Sequence, residues 1–261
     1  MLRFWNHNVL QSITLILVWA VLFIAVAVQA EDATPYSRFY IAVEGGPVWQ
    51  SKCDVRIPGD GGTEFSFKEL TGGGPYAAGR FSLGWRPRAR HALRLAVAPL
   101  RVEGKGSFDR PVEFAGTVFA ADTTTEGRYK FDTYRLGYRY RLLQRSTWQF
   151  WTGATLLVRD AEIELEQADA RAADSNVGLV PLLSLSARWS FAERWGADLD
   201  FDGLAGGPGR ALDLALKLYF DVNDHWQIAA GYRTLEGGVD NEDVYNFSWF
   251  NYALVSIRYR F

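Results

Sequence analysis

Across 261 residues the chain has one cysteine, one methionine and three histidines. A lone Cys53 makes no intramolecular disulfide and leaves no CxxC pair for redox or zinc-ribbon chemistry. Charge of one sign is missing too: 28 Lys+Arg stand against 30 Asp+Glu, a formal net charge of -2. Without a basic excess there is no electrostatic footprint for nucleic acid, which is excluded as a partner. After the first 30 residues no run of about 18 apolar residues occurs, so nothing further reads as a membrane-spanning helix. What is abundant is aromatic, 15% of the chain, together with 25 glycines. The mean hydropathy is nevertheless only -0.10. That mixture is too polar for a helical membrane bundle and unusually aromatic for a soluble domain.

The opening stretch, MLRFWNHNVLQSITLILVWAVLFIAVAVQA, puts Arg3 in a short polar head before a nearly continuous apolar run from Val9 to Val28. Val28-Gln29-Ala30 then supplies a small-residue cleavage pattern. This is the physical design of a secretory signal peptide, with cleavage expected after Ala30 and an uncleaved anchor helix as the alternative. A mature domain over 31–261 follows.

The mature chain alternates with a period of two. Leu212, Leu214, Leu216, Leu218, Phe220 and Val222 fall on one face, with Asp213, Lys217 and Asp221 on the other. Trp195, Ala197, Leu199 and Phe201 oppose Asp198, Asp200 and Asp202 in the same manner, and the chain end repeats it. Such alternation places successive side chains on opposite sides of a strand. A soluble β-sandwich would show it as well. Three features point instead to a membrane barrel: apolar faces that end in Trp, Tyr or Phe, strands of about ten or more residues, and a secreted chain without disulfides.

Ten strands are predicted, over 36–49, 76–86, 92–103, 128–142, 147–165, 177–191, 194–203, 210–221, 226–236 and 245–261, with eight as the alternative. Long connections (50–75, 104–127, 166–176, 204–209, 237–244) alternate with short ones (87–91, 143–146, 192–193, 222–225). That is the pattern of outer loops and periplasmic turns in an all-β, antiparallel up-and-down barrel. Residues 108–119 alternate weakly, as a hairpin projecting from a loop or as part of a different pairing.

The ending ALVSIRYRF sets Val255, Ile257, Tyr259 and terminal Phe261 at every second place. This is similar to the C-terminal signal of bacterial outer-membrane β-barrels, and the chain resembles the small barrels of the OmpA, OmpX and OmpW types. The resemblance implies residence in the bacterial outer membrane among its lipids and lipopolysaccharide. It also implies escort by periplasmic chaperones, and insertion by the barrel-assembly machinery acting on those four residues.

Parity sends Glu44, Arg80, Arg94, Arg135, Arg139, Arg159, Arg188, Asp198, Asp200, Asp202, Asp213, Lys217, Arg233, Arg258 and Arg260 inward. Charges of both signs in a narrow lumen are expected to pair across it. A selectivity constriction or carboxylate acid–base chemistry at the Asp198/Asp200/Asp202 ladder are the alternatives. Barrel enzymes that this chain resembles in size or strand number, the lipid A deacylases, palmitoyltransferases and omptin proteases, use a histidine near the outer rim. His7 lies in the signal segment, whereas His91 and His225 fall in expected periplasmic turns, out of reach of an outer substrate. No catalytic residue, cofactor or metal is therefore assigned.

The acidic stretches 160–176 and 236–243 match no calcium-loop spacing and read as solvated loop charge. The glycine runs 59–62, 72–74 and 206–209 read as turns rather than phosphate cradles. Cys53 reads as an incidental thiol in the first outer loop. The functional expectation is a non-enzymatic barrel, structural or a narrow channel for small solutes. A carboxylate-based lipid- or peptide-modifying enzyme and a loop-mediated adhesin are the alternatives.

Overall fold

In a computed structural model the described residues are 38–207 and 209–261. The signal segment, its cleavage after Ala30 and the first residues of the expected 36–49 strand lie outside them. The elements are β1 Phe39–Arg56, β2 Phe65–Ser66, the helix α1 Phe67–Thr71, β3 Tyr76–Arg88, β4 His91–Ala98, β5 Arg101–Gly106, β6 Val112–Phe114 and β7 Thr117–Phe119. They continue with β8 Thr125–Gln144, β9 Trp148–Gln167, β10 Ala170–Ser190, β11 Trp195–Gly206, β12 Gly209–Asp221, β13 Trp226–Asp240 and β14 Tyr245–Arg260. Consecutive antiparallel pairing runs from β8 to β14, and β14 returns to β1 with Val43 opposite Ile257 and Tyr40 opposite Arg260. With β4 and β5 counted as one stave broken at Pro99, ten staves close the barrel.

The wall faces lipid as the alternation requires. Val43, Leu83, Leu95, Leu136, Leu185, Leu199, Leu216, Ile228 and Val255 are all exposed on its outside. At the end carrying the short turns, exposed Trp85, Trp148, Trp189, Trp195 and Trp226 form one girdle with half-buried Tyr259. Trp148 stacks on Trp189 at 5.2 Å and Trp226 meets Tyr259 at 4.7 Å. Trp49, Tyr134, Tyr232 and Trp249 mark the other edge. Amphipathic rings at both interfaces and aliphatic chains between them are what a bilayer selects.

The staves run past the outer girdle. β1 extends to Arg56, β8 begins at Thr125, and β9 and β10 stay paired up to Gln167 and Ala170. The expected outer connections 166–176, 204–209 and 237–244 are therefore mostly strand ending in tight hairpins. Within the two acidic stretches, Asp160, Glu164 and Glu236 lie on strands and in ion pairs: Asp160 with Lys130 at 2.6 Å, Glu164 with Arg128 at 3.1 Å and Arg171 at 2.8 Å, Glu236 with Arg210 at 2.5 Å. Among the described residues no group of His, Cys, Asp and Glu could hold a metal ion.

The first two connections are the true loops, and both turn inward. β2, α1 and the β6–β7 hairpin bring Ile57, Phe65, Phe67, Leu70, Val112, Phe114 and Phe119 onto inward-facing Val48, Val55, Val102, Tyr129, Ile163, Leu165 and Phe250. Ser66 caps α1 through Glu69 N–H, and left-handed Gly72 (φ 82°) ends it by donating to the Lys68 carbonyl. Close approach of this helix to the wall depends on missing side chains: a Cβ on Gly104 would lie 2.6 Å from the Thr71 backbone. The weakly alternating segment 108–119 is thus a short hairpin folded into the cap, burying Phe108, Phe114 and Phe119. Cys53 is not on a loop either: it belongs to β1 and is fully buried in this core beside Ser248.

One seam interrupts the ladder. β3 pairs with β4 only as far as Phe81 opposite Val97, followed by the single bridge Ala78–Leu100. β5 pairs with β8 alone, and α1 packs over its inner face at Gly104 and Gly106.

Candidate functional site

The lumen is filled in layers. Its middle is a belt of charge drawn from nearly every stave. Lys217 Nζ lies 2.7 Å from Glu44 Oε1, and Arg233 reaches both Glu44 and Asp213 at 3.3 Å. Asp213 also accepts from Arg80 at 3.1 Å and Arg135 at 2.6 Å. One layer nearer the turn end, Asp202 meets Arg94 at 2.8 Å and Arg135 at 3.4 Å, while Arg139 meets Asp200 at 2.5 Å. Asp202 takes hydrogen bonds from Thr155 and Ser184 as well. Parity could have found these two hydroxyls, because Thr155 shares a face with Arg159 and Ser184 with Arg188.

These groups come together because each strand's polar face has nowhere else to go. Charges withdrawn from water need partners, and planar guanidiniums bridging two carboxylates supply them. Glu44, Arg135, Asp202, Asp213, Lys217 and Arg233 are all buried. The Asp198/Asp200/Asp202 ladder is hence spread over several arginines. No described histidine lies near it: His91 contacts Tyr138 at 2.9 Å and His225 contacts the Arg260 carbonyl at 2.9 Å, both at the turn end.

Between the belt and the cap lies a cavity of about 40 Å³ lined by Glu44, Arg80, Arg233, Phe131, Tyr252 and Leu254 among others. Above it the apolar cap closes the bore, with Phe65 meeting Phe108 at 5.3 Å and Phe67 meeting Tyr129 at 5.9 Å, both edge to face. Below the belt, toward the turns, the lumen widens into a vestibule of about 110 Å³. Arg188 and Arg258 face it, held by Asp198 at 3.5 and 3.9 Å. Arg86 lines it too, 5.9 Å from the Trp151 ring. Arg86 shares the face of Arg80 and was legible by parity as the last residue of the expected 76–86 strand, although it was not named among the inward charges.

Arg260 pairs with Asp221 at the rim. Arg159 bonds Asn176 at 2.7 Å, at the level of the cap. On β14, Val255 and Ile257 point to lipid, Tyr259 joins the turn-end girdle and Phe261 packs on it at 4.9 Å.

A closed ten-stave antiparallel barrel with an apolar wall, two aromatic girdles and a polar, filled lumen defines an outer-membrane β-barrel. The chain is similar to several solved structures, the first of which shares its fold. The outer-membrane protease OmpT of Escherichia coli superposes with a TM-score of 0.58 at 8% identity, covering 88% of this chain and 99% of that one. Ail, the attachment invasion locus protein of Yersinia pestis, reaches 0.42 at 12% identity over 86% and 99%. The Pseudomonas putida toluene transporter TodX reaches 0.34 at 11% identity over 87% and 90%. The sequence matches no protein-family model and no curated protein. At 8% identity the likeness to OmpT is one of fold alone.

Proposed function

We propose that the protein is a non-conducting, non-enzymatic outer-membrane barrel that serves as a structural element of the envelope and carries a folded cap on its outer end. The observation that supports this reading is the doubly closed lumen. The ion-paired belt of Glu44, Asp202, Asp213, Arg135, Lys217 and Arg233 lies under a cap core containing Phe67, Phe114 and Phe250. A solute path would have to break both a buried charge network and an apolar core, each costly in its own way. That weighs against the narrow-channel alternative. Adhesion through a free first loop is disfavoured because Ile57, Phe65, Phe67 and Leu70 anchor that connection inward. Protease-like chemistry, suggested by the shared fold of OmpT, is disfavoured because both described histidines sit at the turn end. Lipid and lipopolysaccharide then surround the wall, and Val255, Ile257, Tyr259 and Phe261 serve assembly.

Purified, folded protein in planar bilayers is the test. The expected record has no discrete conductance steps at either polarity. Reproducible steps from the intact chain would overturn the reading. Changed lipid A or peptide profiles on replacing Asp200→Asn and Asp202→Asn would revive the enzymatic alternative.

A further inference from the structure

Cations on the wall are treated differently at its two ends. Beyond the outer aromatic edge, Lys52, Arg101, Arg128, Lys130, Arg171 and Arg210 are each engaged by a carboxylate. At the turn end four exposed arginines, Arg38, Arg88, Arg145 and Arg194, have neither an ion pair nor a side-chain hydrogen bond among the described residues. Two exposed carboxylates, Glu193 and Asp224, share that rim, and Asp221 is committed to Arg260 and Gln227. Belt cations such as Arg80, Arg135, Lys217 and Arg233 are buried and already hold carboxylates. Exposure and position, rather than number, set the four rim arginines apart.

Each of them sits beside a lipid-facing ring. Arg38 immediately precedes Phe39 and Arg194 precedes Trp195, while Arg88 lies three residues past Trp85 and Arg145 three residues before Trp148. All four rings are exposed, and Phe39 stacks on Trp85 at 6.2 Å. The main chain fixes the arginines at the rim. Arg145 N–H donates to the Trp148 carbonyl at 2.7 Å, and the Arg38 and Arg194 carbonyls accept from Arg86 and Asp221 N–H at 2.7 and 2.8 Å. Aromatic rings settle at the headgroup level of a bilayer, so an arginine one step beyond a ring, on its water side, stands at the depth of the lipid phosphates. A guanidinium there offers its N–H edge to phosphate while its methylene stem lies along apolar surface.

We infer that the turn end of the barrel selects anionic phospholipids, of the phosphatidylglycerol type, from the leaflet that surrounds it. A lipid fits better than a free anion because it satisfies both halves of the surface. Its acyl chains lie on exposed Leu83, Leu199 and Ile228, and its phosphate meets the arginines. A net negative headgroup gains from the four free cations where a zwitterionic one gains little. The outer edge has its cations already neutralised by the protein's own carboxylates. The inference deepens the proposal that lipid surrounds the wall, and rests on it.

The test reconstitutes the full folded barrel into phosphatidylcholine vesicles with increasing fractions of brominated phosphatidylglycerol or brominated phosphatidylcholine, and follows quenching of tryptophan fluorescence. The wild-type protein is expected to favour brominated phosphatidylglycerol by about threefold at low salt, falling toward parity at about 1 M salt. Arg38→Gln, Arg88→Gln, Arg145→Gln and Arg194→Gln combined should bring the low-salt ratio close to parity. Lys68→Gln, which removes an exposed cation of the cap, should leave the wild-type ratio. Unheated gel migration reports whether each variant folds. Arg145→Gln with Arg194→Gln, expected to lower the ratio part of the way, keeps the test available if the fourfold variant does not fold. Equal quenching of the wild-type protein by the two lipids, or a preference undiminished in the folded variants, overturns the inference while leaving lipid contact intact. Quenching by neither lipid would overturn the lipid-surrounded wall itself, and the inference with it.

Discussion

Lys217 on β12 and Glu44 on β1 meet at 2.7 Å although β13 and β14 stand between them in the wall. The contact is a chord across the lumen, and Arg233 shares the same carboxylate at 3.3 Å. Glu44→Gln leaves two buried cations around a neutral amide, and unpairing a buried charge costs about 3–5 kcal/mol. A lower urea midpoint for loss of the fast-migrating, unheated gel band is expected. Glu44→Gln combined with Lys217→Met should recover part of that loss, because the two sites are coupled.

Phe67, fully buried on α1, fills the cap against Tyr129. Phe67→Ala is expected to cost about 3–5 kcal/mol, felt by the cap more than by the barrel. Limited proteolysis should then cut within residues 57–75 while the heat-dependent gel shift persists.

Cys53 lies above the outer girdle, and burial pushes its thiol up from 9.0 to about 12. The folded protein should resist maleimide at pH 8, and the denatured chain should react at once. The sign of the linked stability follows. The native state keeps the proton that the unfolded chain releases, so stability contributed here falls as pH rises from 9.0 toward 12. Cys53→Ala should flatten that part of the pH profile.

Two exposed apolar residues should respond differently to charge. Leu216, 54% exposed at mid-wall, faces lipid, and Leu216→Arg is expected to cost about 2–4 kcal/mol. Val118, 64% exposed on β7 of the cap, faces water, so Val118→Arg should stay within about 0.5 kcal/mol. Urea titration of folded protein in lipid vesicles separates the two.

The wall was legible because parity is strict where one side meets lipid. The run Leu212 to Phe220 identified a lipid-facing strand from sequence alone. Ten strands emerged for the same reason, with end points short by several residues wherever staves leave the membrane. There the outer face is charged, as at Lys52 and Asp54, and the inner face is apolar, as at Cys53 and Val55. The alternation inverts, and a segment read for lipid contact looks like a loop. The cap was hidden for a related reason. Phe65, Phe67 and Leu70 carry a normal soluble-protein pattern that only three-dimensional closure makes necessary. For the lumen, parity shows which charges turn inward; it cannot show that Asp213 gathers three cations while Asp198 holds two at longer range.

The cap and the closing pair of strands lie at opposite ends of the chain. Every cap segment precedes β8, whereas closure against β1 waits for β14, the last strand. Phe67 and Phe114 share one core with Val55 of β1 and Phe250 of β14, the two strands that close the barrel. The outer half of the closing seam is thus filled from within, and its width is matched to the volume of the cap.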